Sequence, residues 1–96
     1  MKVNERVMGL YRRALSLVCR ETNVSEYELL GCNEAQCSDA RYVLVMALSL
    51  YLTDTEIAYM IGRTRQGVNF LRNNRKAMKK DVKDIYEKVS KELASE

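Results

Sequence analysis

The stretch Thr53-Asp54-Thr55-Glu56-Ile57-Ala58-Tyr59-Met60-Ile61-Gly62-Arg63-Thr64-Arg65-Gln66-Gly67-Val68-Asn69-Phe70-Leu71, continued to Met78, decides how the chain folds. Its first four residues form a capping box, in which the Thr53 hydroxyl accepts from the Glu56 N–H and Glu56 reaches back to the Thr53 N–H. A helix therefore starts there. Ile57, Ala58 and Ile61 share its apolar face, and Gly62 stands where the chain must turn through positive φ. Thr64 serves as a second N-cap, and Val68, Leu71 and Met78 keep helical spacing after it, with Arg75 on the same side. Helix, short glycine turn and second helix make a helix-turn-helix over about residues 53–78. Two ordinary helices joined by a turn would explain Gly62 alone. Ala58 small enough for close crossing, with Val68 and Leu71 closing the wedge, fits the whole unit.

Charge is the second line of evidence. Residues 61–80 hold Arg63, Arg65, Arg72, Arg75, Lys76, Lys79 and Lys80 and no acid, while residues 1–60 and 81–96 each carry a net charge of −2 in a chain of +3. Solvated helix faces usually mix both signs, whereas a one-signed patch steers a polyanion. The expected partner is double-stranded DNA, whose phosphates such a patch neutralises.

In a helix-turn-helix the second helix offers its N-terminal residues to base edges. With Val68 and Leu71 inward, Arg65, Gln66, Asn69, Phe70 and Asn73 face outward and Thr64 sits at the tip. These six are the expected base readers. Arg65 suits guanine, and Gln66, Asn69 or Asn73 suits adenine, each through two hydrogen bonds. For Phe70 two roles stand equally: contact with a thymine methyl, or packing against the C-terminal segment or a second subunit. Arg63, Arg72, Lys76, Lys79 and Lys80 are expected on phosphates. Arg41 and the hydroxyls of Thr53 and Thr55, near helix N-termini that attract anions, are weaker candidates for the same role.

The rest of the chain supplies a scaffold. With 96 residues, no proline and four glycines, it predicts an all-α fold, a single domain over 1–96 built as a compact bundle of five to six helices. Apolar residues at Val3, Val7, Leu10, Tyr11, Ala14, Leu17 and Val18 mark a first amphipathic helix to about Arg20, with Arg12 and Arg13 on its solvated face. Glu21-Thr22-Asn23 ends it. Ser25-Glu26-Tyr27-Glu28 is a second capping box opening a short helix through Leu29 and Leu30 to Gly31. Residues 31–38 read as loop, after which Ser38 or Asp39 caps a helix from Ala40 to Leu52, apolar nearly all round and so buried. Past the helix-turn-helix, Met78, Val82, Ile85, Val89 and Leu93 form an amphipathic segment over about 79–94. That stripe either covers the domain's own core or pairs with another copy as a homodimer, and about two heptads are too few for a coiled coil. Whether the second helix of the motif runs straight into it is left open.

Several function classes are excluded or disfavoured. No run of 18 apolar residues exists, and Met1 to Arg6 leads into an amphipathic pattern and not a signal-peptide core, so the expectation is a cytoplasmic, nucleoid-associated protein with no membrane partner. Cys19, Cys32 and Cys37 should then be thiols. A structural zinc needs four ligands, and with no histidine no metal site is expected. The same absence removes Ser-His-Asp and Cys-His arrangements, and Glu26, Glu28, Glu34 and Asp39 sit in capping or loop contexts, so neither catalysis nor a cofactor is expected.

The order Val24-Ser25-Glu26-Tyr27-Glu28-Leu29-Leu30, then Ala40-Arg41, Leu52-Thr53, Glu56-Ile57 and Gly62-Arg63-Thr64-Arg65-Gln66-Gly67-Val68, resembles the C-terminal DNA-binding domain of the bacterial replication initiator DnaA, within the Trp-repressor-like superfamily. The resemblance covers about residues 18–78. Gly62, Arg63 and Val68 match the family signature Gly-Arg-Asp-His-Thr-Thr-Val, while Thr64, Arg65, Gln66 and Gly67 depart from it, so it does not imply the initiator's own DNA site. The loop after Leu30 lacks the family's basic residues. No GxxxxGK[ST] phosphate loop occurs. What the resemblance implies is a stand-alone, sequence-specific DNA-binding module, a small transcriptional regulator or an accessory factor in replication or of a mobile element. The alternative is a helical protein-interaction adaptor that has lost DNA binding.

Overall fold

The structure, a computed structural model, describes residues 5–32, 34–73 and 80–95. The described residues form six helices and no strand: α1 (Glu5–Thr22), α2 (Glu26–Gly31), α3 (Ala35–Leu48), α4 (Asp54–Ile61), α5 (Arg65–Asn73) and α6 (Lys80–Ala94). The all-α bundle is as the sequence predicts.

The organising helix is α3, because its apolar residues run round its whole circumference. Cys37, Ala40, Val43, Leu44, Val45, Ala47 and Leu48 are all buried, and α1, α2, α5 and α6 pack around them. Side chains from every helix meet in one core, among them Val18, Leu29, Leu44, Ile57, Val68 and Val89, each fully buried. Burying an aliphatic side chain of this size contributes about 1.5 to 3 kcal/mol. That is why the centre of the bundle is aliphatic.

The boundaries of α3 differ from expectation. It begins at Ala35 and ends at Leu48, where the span 40–52 was expected, so Ser38 and Asp39 lie inside it and cap nothing. Its N-cap is Glu34, with no side-chain hydrogen bond. Burial of Cys37 and Ala40 against the core outweighs the local capping preference of Ser38 and Asp39, and residues 49–52 form a turn in which the Leu52 N–H donates to the Leu48 carbonyl at 2.8 Å.

The helices on either side follow local chemistry more closely. In α1 the Thr22 hydroxyl donates to the Val18 carbonyl at 2.7 Å, and Asn23 turns the chain at φ 56°. Both halves of the Ser25 capping box are present at the start of α2, with Glu28 N–H to Ser25 Oγ at 3.1 Å and Ser25 N–H to Glu28 Oε1 at 3.4 Å.

The C-terminal helix settles where its apolar stripe goes. Val82, Val89 and Leu93 of α6 are buried, and Ile85 and Tyr86 pack half-buried beside them, against α1 and α3. The stripe covers the domain's own core, the first of the two roles its spacing allowed. Ion pairs seal the same seam: Arg20 Nη2 to Glu92 at 2.6 Å, and Lys88 Nζ to Glu21 at 2.9 Å. The hydrogen bond from Lys88, helped by Arg20, holds the Glu21 carboxyl below the usual carboxylate range. Among the described residues no helix is long and apolar enough to cross a membrane. The link between α5 and α6, and with it Arg75, Lys76, Met78 and Lys79, lies outside the described residues.

Candidate nucleic-acid interface

The unit formed by α4 and α5 is built by its caps. The Thr53 Oγ1 accepts from the Glu56 N–H at 3.2 Å, and Glu56 Oε1 accepts from the Thr53 N–H at 3.0 Å. The expected capping box is therefore complete. At the far end of α4, Gly62 adopts φ 69° and ψ 31°, and the Arg63 N–H donates to the Ala58 carbonyl at 3.0 Å. An L side chain enters that left-handed region only at a cost, which is why glycine stands there. Thr64 then opens α5: its Oγ1 accepts from the Gly67 N–H at 3.0 Å and its carbonyl from the Val68 N–H at 3.0 Å.

Ile57, Ala58 and Ile61 of α4 and Val68 of α5 are buried, and Leu71 is half-buried against the core. This leaves α5 with one side inward and the other free. Arg65, Gln66, Asn69, Phe70 and Asn73 are all exposed and line one open depression on the outer side of α5. Phe70 is 64% exposed. Thr64 is exposed beside them, its hydroxyl oxygen engaged as the cap.

A polar ladder fixes part of this face, and its root is a residue outside the set expected from sequence. Asp54, the first residue of α4, accepts through Oδ2 from Arg72 Nη2 at 2.9 Å and from Asn69 Nδ2 at 3.3 Å. The Asn69 Oδ1 in turn accepts from Asn73 Nδ2 at 3.1 Å. Asp54 Oδ1 is buried and finds no partner among the described residues. In the sequence Asp54 looks like any acid in a helix's first turn. Only the packing of α4 on α5 brings it within reach of residues fifteen and eighteen positions later.

The expected phosphate contacts divide. Arg63, Thr55 and Lys80 are exposed. Thr53 is exposed, yet its hydroxyl donates to Glu56 Oε1 at 3.1 Å and so works within its own cap. Arg72 is ion-paired with Asp54, which offsets much of its charge. Lys76 and Lys79 lie outside the described residues.

Arg41 is a correction: it is 5% exposed, with Nε donating to the Leu29 carbonyl at 3.0 Å and Nη2 to the Cys32 carbonyl at 2.7 Å. The expectation of a phosphate contact assumed that α3 starts at Ala40. Because α3 starts at Ala35, Arg41 falls in the second turn and turns inward to satisfy orphan carbonyls at the end of α2. Burial, with Arg63 nearby, pulls its pKa down from the usual guanidinium value.

Set beside known proteins, the chain matches no family model, no curated protein and no solved structure.

Proposed function

We propose that this protein binds double-stranded DNA through a helix-turn-helix made by α4 and α5, with α5 lying in the major groove. The observation that supports this reading is the outer face of α5, where Arg65, Gln66, Asn69, Phe70 and Asn73 stand exposed together above a buried Val68, in a segment with no acid from residue 61 to 80. Arg65, Gln66, Asn69 and Asn73 have the donor and acceptor patterns that pair with guanine and adenine edges. Arg63 and Lys80 add exposed positive charge suited to phosphates. The proposed kinship is with the Trp-repressor-like superfamily and the initiator's C-terminal domain, and the proposed role is a small nucleoid-associated regulator or accessory factor.

The test is selection of bound duplexes from a random pool, followed by fluorescence anisotropy at two salt concentrations. The expected result is an enriched sequence and an affinity that falls steeply as salt rises. No enrichment and no salt-dependent affinity overturns the proposal. A second reading, a docking face for a protein, is favoured by Phe70, since an aromatic ring at the centre of an exposed face suits a protein groove. It predicts that no duplex is retained.

A further inference from the structure

Away from α5, two of the three cysteines meet at the junction of α2 and α3. Cys32 is the C-cap of α2, and Cys37 lies in the first turn of α3. The Cys32 side chain reaches the N-terminus of α3, where its Sγ accepts from the N–H of the N-cap Glu34, three residues before Cys37. Arg41 fixes that approach: it lies four residues after Cys37, hence over it on the same helix face, and its Nη2 holds the Cys32 carbonyl at 2.7 Å. The backbone of Cys32 is thereby tied to the helix that carries Cys37.

The two sulfurs differ in access. Cys32 is half-buried, and its Sγ accepts from the Glu34 N–H at 3.4 Å, whereas Cys37 is 3% exposed. The neighbouring Cys32 side chain, with burial, pushes the Cys37 thiol up to about 11, so it rests as a protonated thiol. Cys19 lies on a different helix, α1.

We propose that Cys32 and Cys37 form a modification site, a dithiol that a hydroperoxide converts to an intramolecular disulfide bridging α2 and α3. The accessible Cys32 sulfur attacks the peroxide, an S–O bond forms as the O–O bond breaks, and the departing hydroxide leaves with the thiol proton as water. The Cys37 sulfur then attacks Cys32 Sγ, the S–S bond forms as the S–O bond breaks, and a second water carries off the Cys37 proton. Two thiols and one hydrogen peroxide thus give one disulfide and two waters, the sulfur pair losing two electrons to the peroxide. Exchange with an external thiol reverses the bridge.

The test uses the folded protein, treated with hydrogen peroxide, denatured in N-ethylmaleimide and digested with trypsin. Cys32 and Cys37 fall on one tryptic peptide, 21–41, and Cys19 on another, 14–20. The expected result is loss of both alkylations from 21–41, which becomes two hydrogens lighter than its dithiol, with Cys19 still alkylated and dithiothreitol restoring all three sites. Cys37→Ser should accumulate a sulfenic acid at Cys32 that dimedone traps, while Cys32→Ser should leave Cys37 reduced at the same peroxide dose. Persistent alkylation of 21–41, a bridge to Cys19 or a link between chains overturns the proposal. The digest of the unmutated protein decides it even where a variant folds poorly, and DNA binding plays no part in it.

Discussion

Arg41 and Arg65 are the same residue type with opposite fates. The Arg41 guanidinium closes two carbonyls inside the bundle, so Arg41→Ala leaves both without their donor and should destabilise the fold by about 3 kcal/mol, read in urea denaturation. A lysine there has no planar fork to bridge both acceptors and should recover little of the loss. Arg65 touches nothing in the core, and Arg65→Ala should leave stability within about 0.5 kcal/mol. On the proposed reading it costs about 1 to 3 kcal/mol on a selected duplex and relaxes base preference. Arg63→Ala, by contrast, should weaken selected and scrambled duplexes alike and lower the salt slope by about one. Anisotropy titrations with both duplexes separate the two roles, and equal losses for Arg65→Ala would remove it from base reading. Asp54→Ala frees Asn69 and Arg72 together, so its effect should fall on sequence preference more than on total affinity.

At the scale of helices, caps and seams set the local stability. Nothing lies within 4 Å of a Cβ placed on Gly62, so Gly62→Ala isolates the backbone penalty of φ 69° and should cost about 1 to 2 kcal/mol in thermal or urea unfolding. Gly62→Asn should cost less, since asparagine tolerates this region. Thr64→Ala removes the cap of α5 at about 1 kcal/mol. Between α1 and α6 the Glu21 carboxyl sits below its usual range because Lys88, then Arg20, stabilises its charged form. A lowered folded pKa means that the contribution is present above the unfolded value, about 4.3, and disappears as pH falls through the folded one. The melting-temperature difference between the unmutated protein and Glu21→Gln should therefore be positive at neutral pH and vanish in acid, and a difference unchanged at low pH would count against this clasp.

For the whole molecule, α3 is the helix against which α1, α2, α5 and α6 all pack. Leu44 is fully buried at its centre, and Leu44→Ala should cost about 2 to 5 kcal/mol, with the spread set by how far α1 and α6 close the void. Because Val82, Val89 and Leu93 line that same core, removing residues 80–96 should unfold the protein and not merely change its assembly state, as loss of the cooperative melting transition would show. A folded truncated chain would mean that α6 is dispensable to the core.

By itself the sequence determined whatever depends on neighbours along the chain. Both capping boxes, the glycine turn at Gly62, the cap at Thr64 and the inward spacing of Val68 and Leu71 were legible because their chemistry acts across three or four residues. So was the outward set from Arg65 to Asn73, which follows from helical period once Val68 is placed inside. Tertiary packing alone decided the start of α3, where burial of Cys37 and Ala40 overrode the caps at Ser38 and Asp39, and with that start it turned Arg41 inward. It also decided that α6 covers its own core, and that Asp54 grips Asn69 and Arg72. Those outcomes depend on which surfaces meet across long stretches of chain, and free energies of contact between distant segments leave no periodic mark in the order of residues.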